Sequence, residues 1–211
     1  MSIKKDYYKN LAATVMKGFS KRHMESYYCD SIEEAKTLAM SLVPSGSTAS
    51  FGGSMTLAET GVLEALRARE DITLYDRDKA ANPEETKKIF HDALSADYYF
   101  MSSNAITSDG ELINIDGNGN RVAALIYGPE NVIIISGMNK IVKDVEEGIS
   151  RTRNVASAQN CIRLGKSNPC ALNGVCGNCL SDTICDQVVI TRASRVPNRI
   201  KVILVGEELG F

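Results

Sequence analysis

The stretch Asn104–Lys140, NAITSDGELINIDGNGNR followed by VAALIYGPENVIIISGMNK, sets the terms for the rest of the chain. Asp109-Gly110 tolerates positive φ and predicts a hairpin between Ala105–Thr107 and Leu112–Ile115. A polar loop, Asp116-Gly117-Asn118-Gly119-Asn120-Arg121, then leads into the apolar run Val122–Tyr127. Val132–Ile135 is a near-continuous β-branched run that ends in Ser136-Gly137-Met138-Asn139-Lys140. Together with the polar residues from Ser102 to Thr107, this gives three polar loops, each abutting an apolar element. That is the layout of a ligand crevice in an α/β sheet.

Working outward, strands alternate with capped helices of about ten residues. Residues 6–18 read as an amphipathic helix closed by Gly18, and 24–29 as a strand. Ser31-Ile-Glu-Glu34 has the form of a capping box. Thr48–Phe51 is a strand, turned by Gly52-Gly53-Ser54 into a helix that Thr56 can cap, with Glu59 three residues on, reaching about Arg69. Asn82-Pro83-Glu84-Glu85 supplies a cap, a proline at the first helical position and acids at the positive dipole end. Tyr98–Met101 is the strand that feeds the central loops. Helices are expected over 144–152 and around 156–164, and two β-branched runs, Val188–Thr191 and Ile200–Val205, close the chain. The alternation predicts an α/β fold with a mainly parallel sheet, made mixed by the hairpin and the closing pair.

A chain of 211 residues suits one domain, here 1–211 with a cysteine-rich insert at about 167–187. A net charge of −2 argues against a general nucleic-acid binder. MSIKKDYYKN lacks the apolar core of a signal peptide, and no apolar run reaches membrane-spanning length. The expected location is the cytoplasm. Small α/β domains commonly pair, so a homodimer is the expected assembly.

The loops offer a binding site for a small anionic metabolite. Gly52, Gly53, Ser54 and Thr56 follow a strand and open a helix, presenting free N–H groups and hydroxyls to an anion. The plainer alternative is a tight turn with Thr56 as a cap. In the second loop Asn118, Asn120 and Arg121 stand together, and Arg121 could engage a carboxylate through two parallel hydrogen bonds. Asn104, Thr107, Asn139 and Lys140 sit where other strands end. Of the carboxylates nearby, Glu59 reads as a capping residue, and Asp116 is the candidate base or nucleophile. The two histidines, His23 and His91, lie in elements remote from these loops.

Cys170, Cys176, Cys179 and Cys185 are spaced C-x(5)-C-x(2)-C-x(5)-C, with Gly174 and Gly177 allowing sharp turns. Such a set can surround one zinc ion or hold an iron–sulfur cluster. A redox dithiol at Cys176/Cys179, local disulfides and buried free thiols remain open beside metal binding. Cys29 and Cys161 read as small hydrophobes.

The run SSNAITSDGELINIDGNGNRVAALIYGP, then NVIIISGMNKIV and SRTRNVASAQNCIRLG, resembles the lactate-utilization (LUD) domain family. The Pro-Cys to Ile-Cys segment and the terminal VILVGEELGF resemble its short, single-domain members. The resemblance implies a Rossmann-like three-layer fold, similar to the sugar-phosphate isomerase and CoA-transferase group. It also implies a link to the oxidation of lactate to pyruvate, in company with other lactate-oxidation components. The loops Gly52–Thr56, Asn104–Thr107, Asp116–Arg121 and Asn139–Lys140 are then the expected ligand loops. Two other functions stand beside this one: a metal- or redox-sensing protein using the cysteine segment, and an isomerase or transferase acting on a phosphorylated or CoA-linked substrate.

Overall fold

Val132, Ile133, Ile134 and Ile135 are all wholly buried, and their side chains divide between two separate cores. A strand apolar on both faces must be covered on both, which is the condition of a parallel sheet between helical layers. The computed structural model, which describes residues 2–211, has that arrangement. In chain order its strands are β1 (Glu25–Cys29), β2 (Thr48–Phe51), β3 (Thr73–Tyr75), β4 (Tyr98–Met101), β5 (Ala105–Thr107), β6 (Leu112–Asp116), β7 (Asn131–Gly137), β8 (Ile141–Val142), β9 (Gln187–Thr191) and β10 (Ile200–Val205). The helices are α1 (Ile3–Lys21), α2 (Ile32–Ser41), α3 (Met55–Glu59), α4 (Val62–Arg67), α5 (Pro83–Asp92), α6 (Asn120–Ile126), α7 (Val145–Arg151), α8 (Ser157–Arg163) and α9 (Pro169–Asn173).

Six strands form one wholly parallel sheet in the order β1-β10-β7-β4-β2-β3. Tyr8, Ala12, Val15 and Phe19 of α1 cover the face that carries Val132 and Ile134. Ala35 and Ala39 of α2, with Leu57, Val62 and Leu66 of α3 and α4, cover the face that carries Ile133 and Ile135. The burial of each Val, Leu, Ile or Phe side chain among these contributes about 1.5–3 kcal/mol. The result is the expected three-layer α/β fold.

The antiparallel strands do not join this sheet. They form a second one, in the order β8-β5-β6-β9, in which β6 pairs antiparallel with both β5 and β9. The expected hairpin is present, with Gly110 at φ +85°. The two closing strands, read as a pair, part company: β9 edges the second sheet, and β10 sits inside the first between β1 and β7. Burial separates them, because β10 is apolar on both faces whereas Val188 and Ile190 of β9 face outward.

Local chemistry moved two helix ends. Gly18 does not close α1; a Cβ there would lie 2.3 Å from the Asp109 carbonyl oxygen, so glycine lets the helix pass against the hairpin turn. Ser54 rather than Thr56 caps α3, its Oγ accepting from the Leu57 N–H at 3.3 Å. Gly61, at φ +65°, then divides the expected single helix into α3 and α4. Ser31 and Asn82 cap α2 and α5 as read from the sequence. A π-helical turn, Thr152–Ala156, joins α7 to α8. No helix among the described residues is long and apolar enough to cross a membrane.

Candidate active site

Because β10, β7, β4 and β2 are adjacent and parallel, their carboxyl ends share one edge. The loops after them, together with the loop between β6 and α6, enclose a cavity of about 520 Å3. Gly53, Ser54, Thr56, Asn104, Asp116, Asn118, Asn120, Arg121 and Lys140 all line it. Three expected ligand residues do not. Gly52 lies beneath Arg121, where a Cβ would come within 3.0 Å of the arginine Cδ. Thr107 is wholly buried, and its Oγ1 accepts from the Glu111 N–H. Asn139 exchanges hydrogen bonds with the Leu209 backbone, fastening the segment after β10.

Lys140 is the unusual group. It is only 4 % exposed, yet its Nζ donates to two neutral hydroxyls, Thr56 Oγ1 at 2.8 Å and Ser102 Oγ at 3.2 Å. Burial pushes its pKa down to about 7, and the neighbouring Arg151 and Arg121 push the same way. Glu59 is the opposing charge and acts on this amine more weakly than the two arginines. The Glu59 carboxylate instead accepts from the Gly210 N–H at 2.6 Å, in place of the expected capping role. A buried lysine with a depressed pKa in a cleft is a functional-site candidate.

Arg121 lines the cavity and is held by the protein around it. Its Nη1 donates to the Ser102 carbonyl and to Asn114 Oδ1, and its Nη2 to Asn104 Oδ1 and the Ile115 carbonyl. Its Nε faces Asp116 Oδ2 at 3.6 Å. Through these groups Arg121 ties the loop after β4 to the end of β6. Asp116 is similarly engaged: it accepts from the Gly119 and Val122 N–H groups, organising the start of α6. Arg151 is a second tie, donating to the Asn104 and Asn139 carbonyls.

The far wall comes from α8 and the cysteine segment, which supply Arg163, Lys166, Asp182 and Asp186. Sequence reasoning did not reach these residues, nor Arg77 and Ser102 as lining groups. Ser102 follows β4 directly and was in principle legible by strand-end position. The far wall was not, because only the tertiary return of the chain brings it there. Five basic side chains and three acidic ones line the cavity, a local excess of positive charge in a chain of net charge −2. His23 and His91 stand outside it. A larger hollow of about 800 Å3 between α5 and α6 is mainly apolar and shares only Asn118 and Asn120 with the cavity.

All six cysteines are free. Cys161, read as a small hydrophobe, is buried and packs with Cys170. Asn168 bridges Cys161 and Cys179, and Cys185 donates to Ser157 Oγ at 3.3 Å. Burial, helped by Cys170, pushes the Cys161 thiol up to about 12, and burial raises Cys185 as well. Among the described residues no three His, Cys, Asp or Glu side chains are set to hold one metal ion. The cysteine segment supplies part of the far wall through Asp182, Thr183, Ile184 and Asp186, and none of the six cysteines lines the cavity itself.

The fold has known company. A structure described as a DUF162 family protein from Deinococcus radiodurans is similar over 97 % of this chain and 99 % of that one, at 14 % identity and a TM-score of 0.52. An eIF2B delta structure from Chaetomium thermophilum matches over 68 % of this chain and 54 % of that one, at 17 % identity and a TM-score of 0.35. No curated protein matches the sequence. The model of the LUD domain matches residues 12–205, nearly the whole chain. The chain belongs to the LUD domain family.

Proposed function

We propose that the protein binds a small organic anion of the lactate type in the cavity at the carboxyl edge of the parallel sheet, as a component of lactate or organic-acid utilization. The observation that carries this reading is the buried Lys140 amine, held by Thr56 and Ser102 where three strand ends meet. With lactate the amine takes up a proton on binding and supplies the counter-charge in a dry site. The surrounding basic side chains favour negative ligands over neutral or cationic ones. Membership of the LUD domain family supports the choice of lactate and its oxidation product as the first ligands to try. Other components of lactate oxidation are the expected partners.

Calorimetric titration of L-lactate, pyruvate and acetate into the wild-type protein and Lys140→Met tests this. A charge-assisted hydrogen bond contributes about 1.5–3 kcal/mol, so the variant should bind roughly 10- to 100-fold more weakly. Equal affinity in the two proteins, or no binding of any of the three, would refute the reading.

A further inference from the structure

The geometry points to Lys140 as a nucleophile that forms a covalent carbon–nitrogen bond with the carbonyl carbon of a 2-oxo acid bound in the cavity. This rests on the reading of the cavity as an anion site, and adds to it a substrate class and a chemical step.

The argument begins with hydrogen-bond bookkeeping. Thr56 Oγ1 donates onward to the Leu209 carbonyl at 3.4 Å, and Ser102 Oγ to the Ser103 carbonyl at 3.4 Å. With the hydroxyl protons turned toward these carbonyls, each oxygen accepts from Lys140. A neutral amine has two N–H groups and one lone pair. Both N–H groups are satisfied by the two hydroxyls, which leaves the lone pair as the free valence. An ammonium in the same place has a third N–H with no protein acceptor. The site thus suits the amine, and burial, which lowers the pKa, acts in the same direction. A desolvated lysine amine is the form that attacks carbonyl groups.

The step balances without any oxidant. The nitrogen lone pair forms a bond to the carbonyl carbon, while the C=O π pair moves to oxygen. That oxygen takes one proton from nitrogen, giving a carbinolamine. It then leaves as water with the second nitrogen proton, and a C=N bond remains. Arg77 and Arg163 in the lining offer partners for the carboxylate of the substrate. A 2-hydroxy acid fits the same cavity but has no carbonyl carbon to attack, so only the oxidised member of such a pair is held covalently.

Reductive trapping tests the proposal on the full chain. Wild-type protein is incubated with pyruvate and sodium cyanoborohydride, digested and mapped by mass spectrometry. Labelling at Lys140 should exceed that of any surface lysine on the order of tenfold or more, since exposed lysines near pKa ~10.4 are almost wholly protonated at neutral pH. Excess L-lactate should suppress the adduct by occupying the cavity. The residual labelling in Lys140→Met should fall to the surface level, with circular dichroism confirming that the variant is folded. Pyruvate that binds by calorimetry but leaves Lys140 unlabelled in the wild type overturns the covalent step and spares the anion site. Neither binding nor labelling overturns both. Equal labelling over many lysines also overturns the covalent step.

Discussion

Lys140 Nζ lies 2.8 Å from Thr56 Oγ1, across 84 residues of sequence. The contact runs from the end of β7 past the end of β4 to the start of the helix after β2. It therefore joins three strand ends through one amine. A buried lysine among hydroxyls is an electrostatic burden on the fold, and that burden depends on pH.

The pKa of Lys140 is depressed to about 7 in the folded chain, against 10.5 as the ordinary lysine value. Between these values the unfolded chain binds more protons, so this group makes stability rise with pH from about 7 upward. Below about 7 the penalty is fully present. At roughly 1.4 kcal/mol per pKa unit its size is on the order of a few kcal/mol. Thermal melts of wild type should therefore improve between pH 7 and pH 10 relative to Lys140→Met, which removes the charge and keeps the stem. A variant with the same pH dependence as wild type would show that the amine is not desolvated.

Arg121 ties two loops together. Arg121→Ala should lose about 3–5 kcal/mol in urea unfolding, the usual cost of breaking a buried charged network. Arg121→Lys should recover little of it, because one ammonium cannot reach the four acceptors that the guanidinium holds. An alanine variant of unchanged stability that binds anions poorly would return Arg121 to the ligand role suggested by its sequence position.

Gly18 and Gly110 meet where α1 crosses the hairpin turn. A Cβ on Gly18 would stand 2.3 Å from the Asp109 carbonyl oxygen, and neither backbone can yield cheaply. Gly18→Ala, normally favourable inside a helix, should here cost about 1–3 kcal/mol by overpacking. Chemical denaturation measures it, and a stabilised variant would contradict the close approach.

The cysteines separate by burial. Cys29, Cys161 and Cys170 are buried, while Cys176, Cys179 and Cys185 are partly open. Under native conditions iodoacetamide should modify Cys176 and Cys179 first and Cys161 last, since burial holds its thiol protonated as well as hidden. Mass mapping over time gives the order. Rapid loss of Cys161 would mean that the segment opens readily.

The central strand was the most legible part of the fold, because four consecutive β-branched residues admit few environments. The shared edge of Ser54, Asn104 and Lys140 followed from reading each as the end of a parallel strand. What the sequence could not show was how the side chains spend their hydrogen bonds. Arg121 and Asp116 have the right types and the right loop, yet satisfy the backbone around them. Lys140 carried no special local pattern; its character comes from burial among Thr56, Ser102 and two arginines. The far wall was hidden for the same reason, since Arg163 and Lys166 reach the cavity only through packing of α8 and the cysteine segment.

The most direct measurement is an NMR titration of protein carrying 13C at the lysine ε-carbons, with the Lys140 signal assigned by its absence in Lys140→Met. The expected result is one lysine whose midpoint lies near pH 7, moving upward when L-lactate is added. A spectrum in which every lysine titrates at the ordinary value, or in which lactate leaves the Lys140 signal unmoved, would contradict the account.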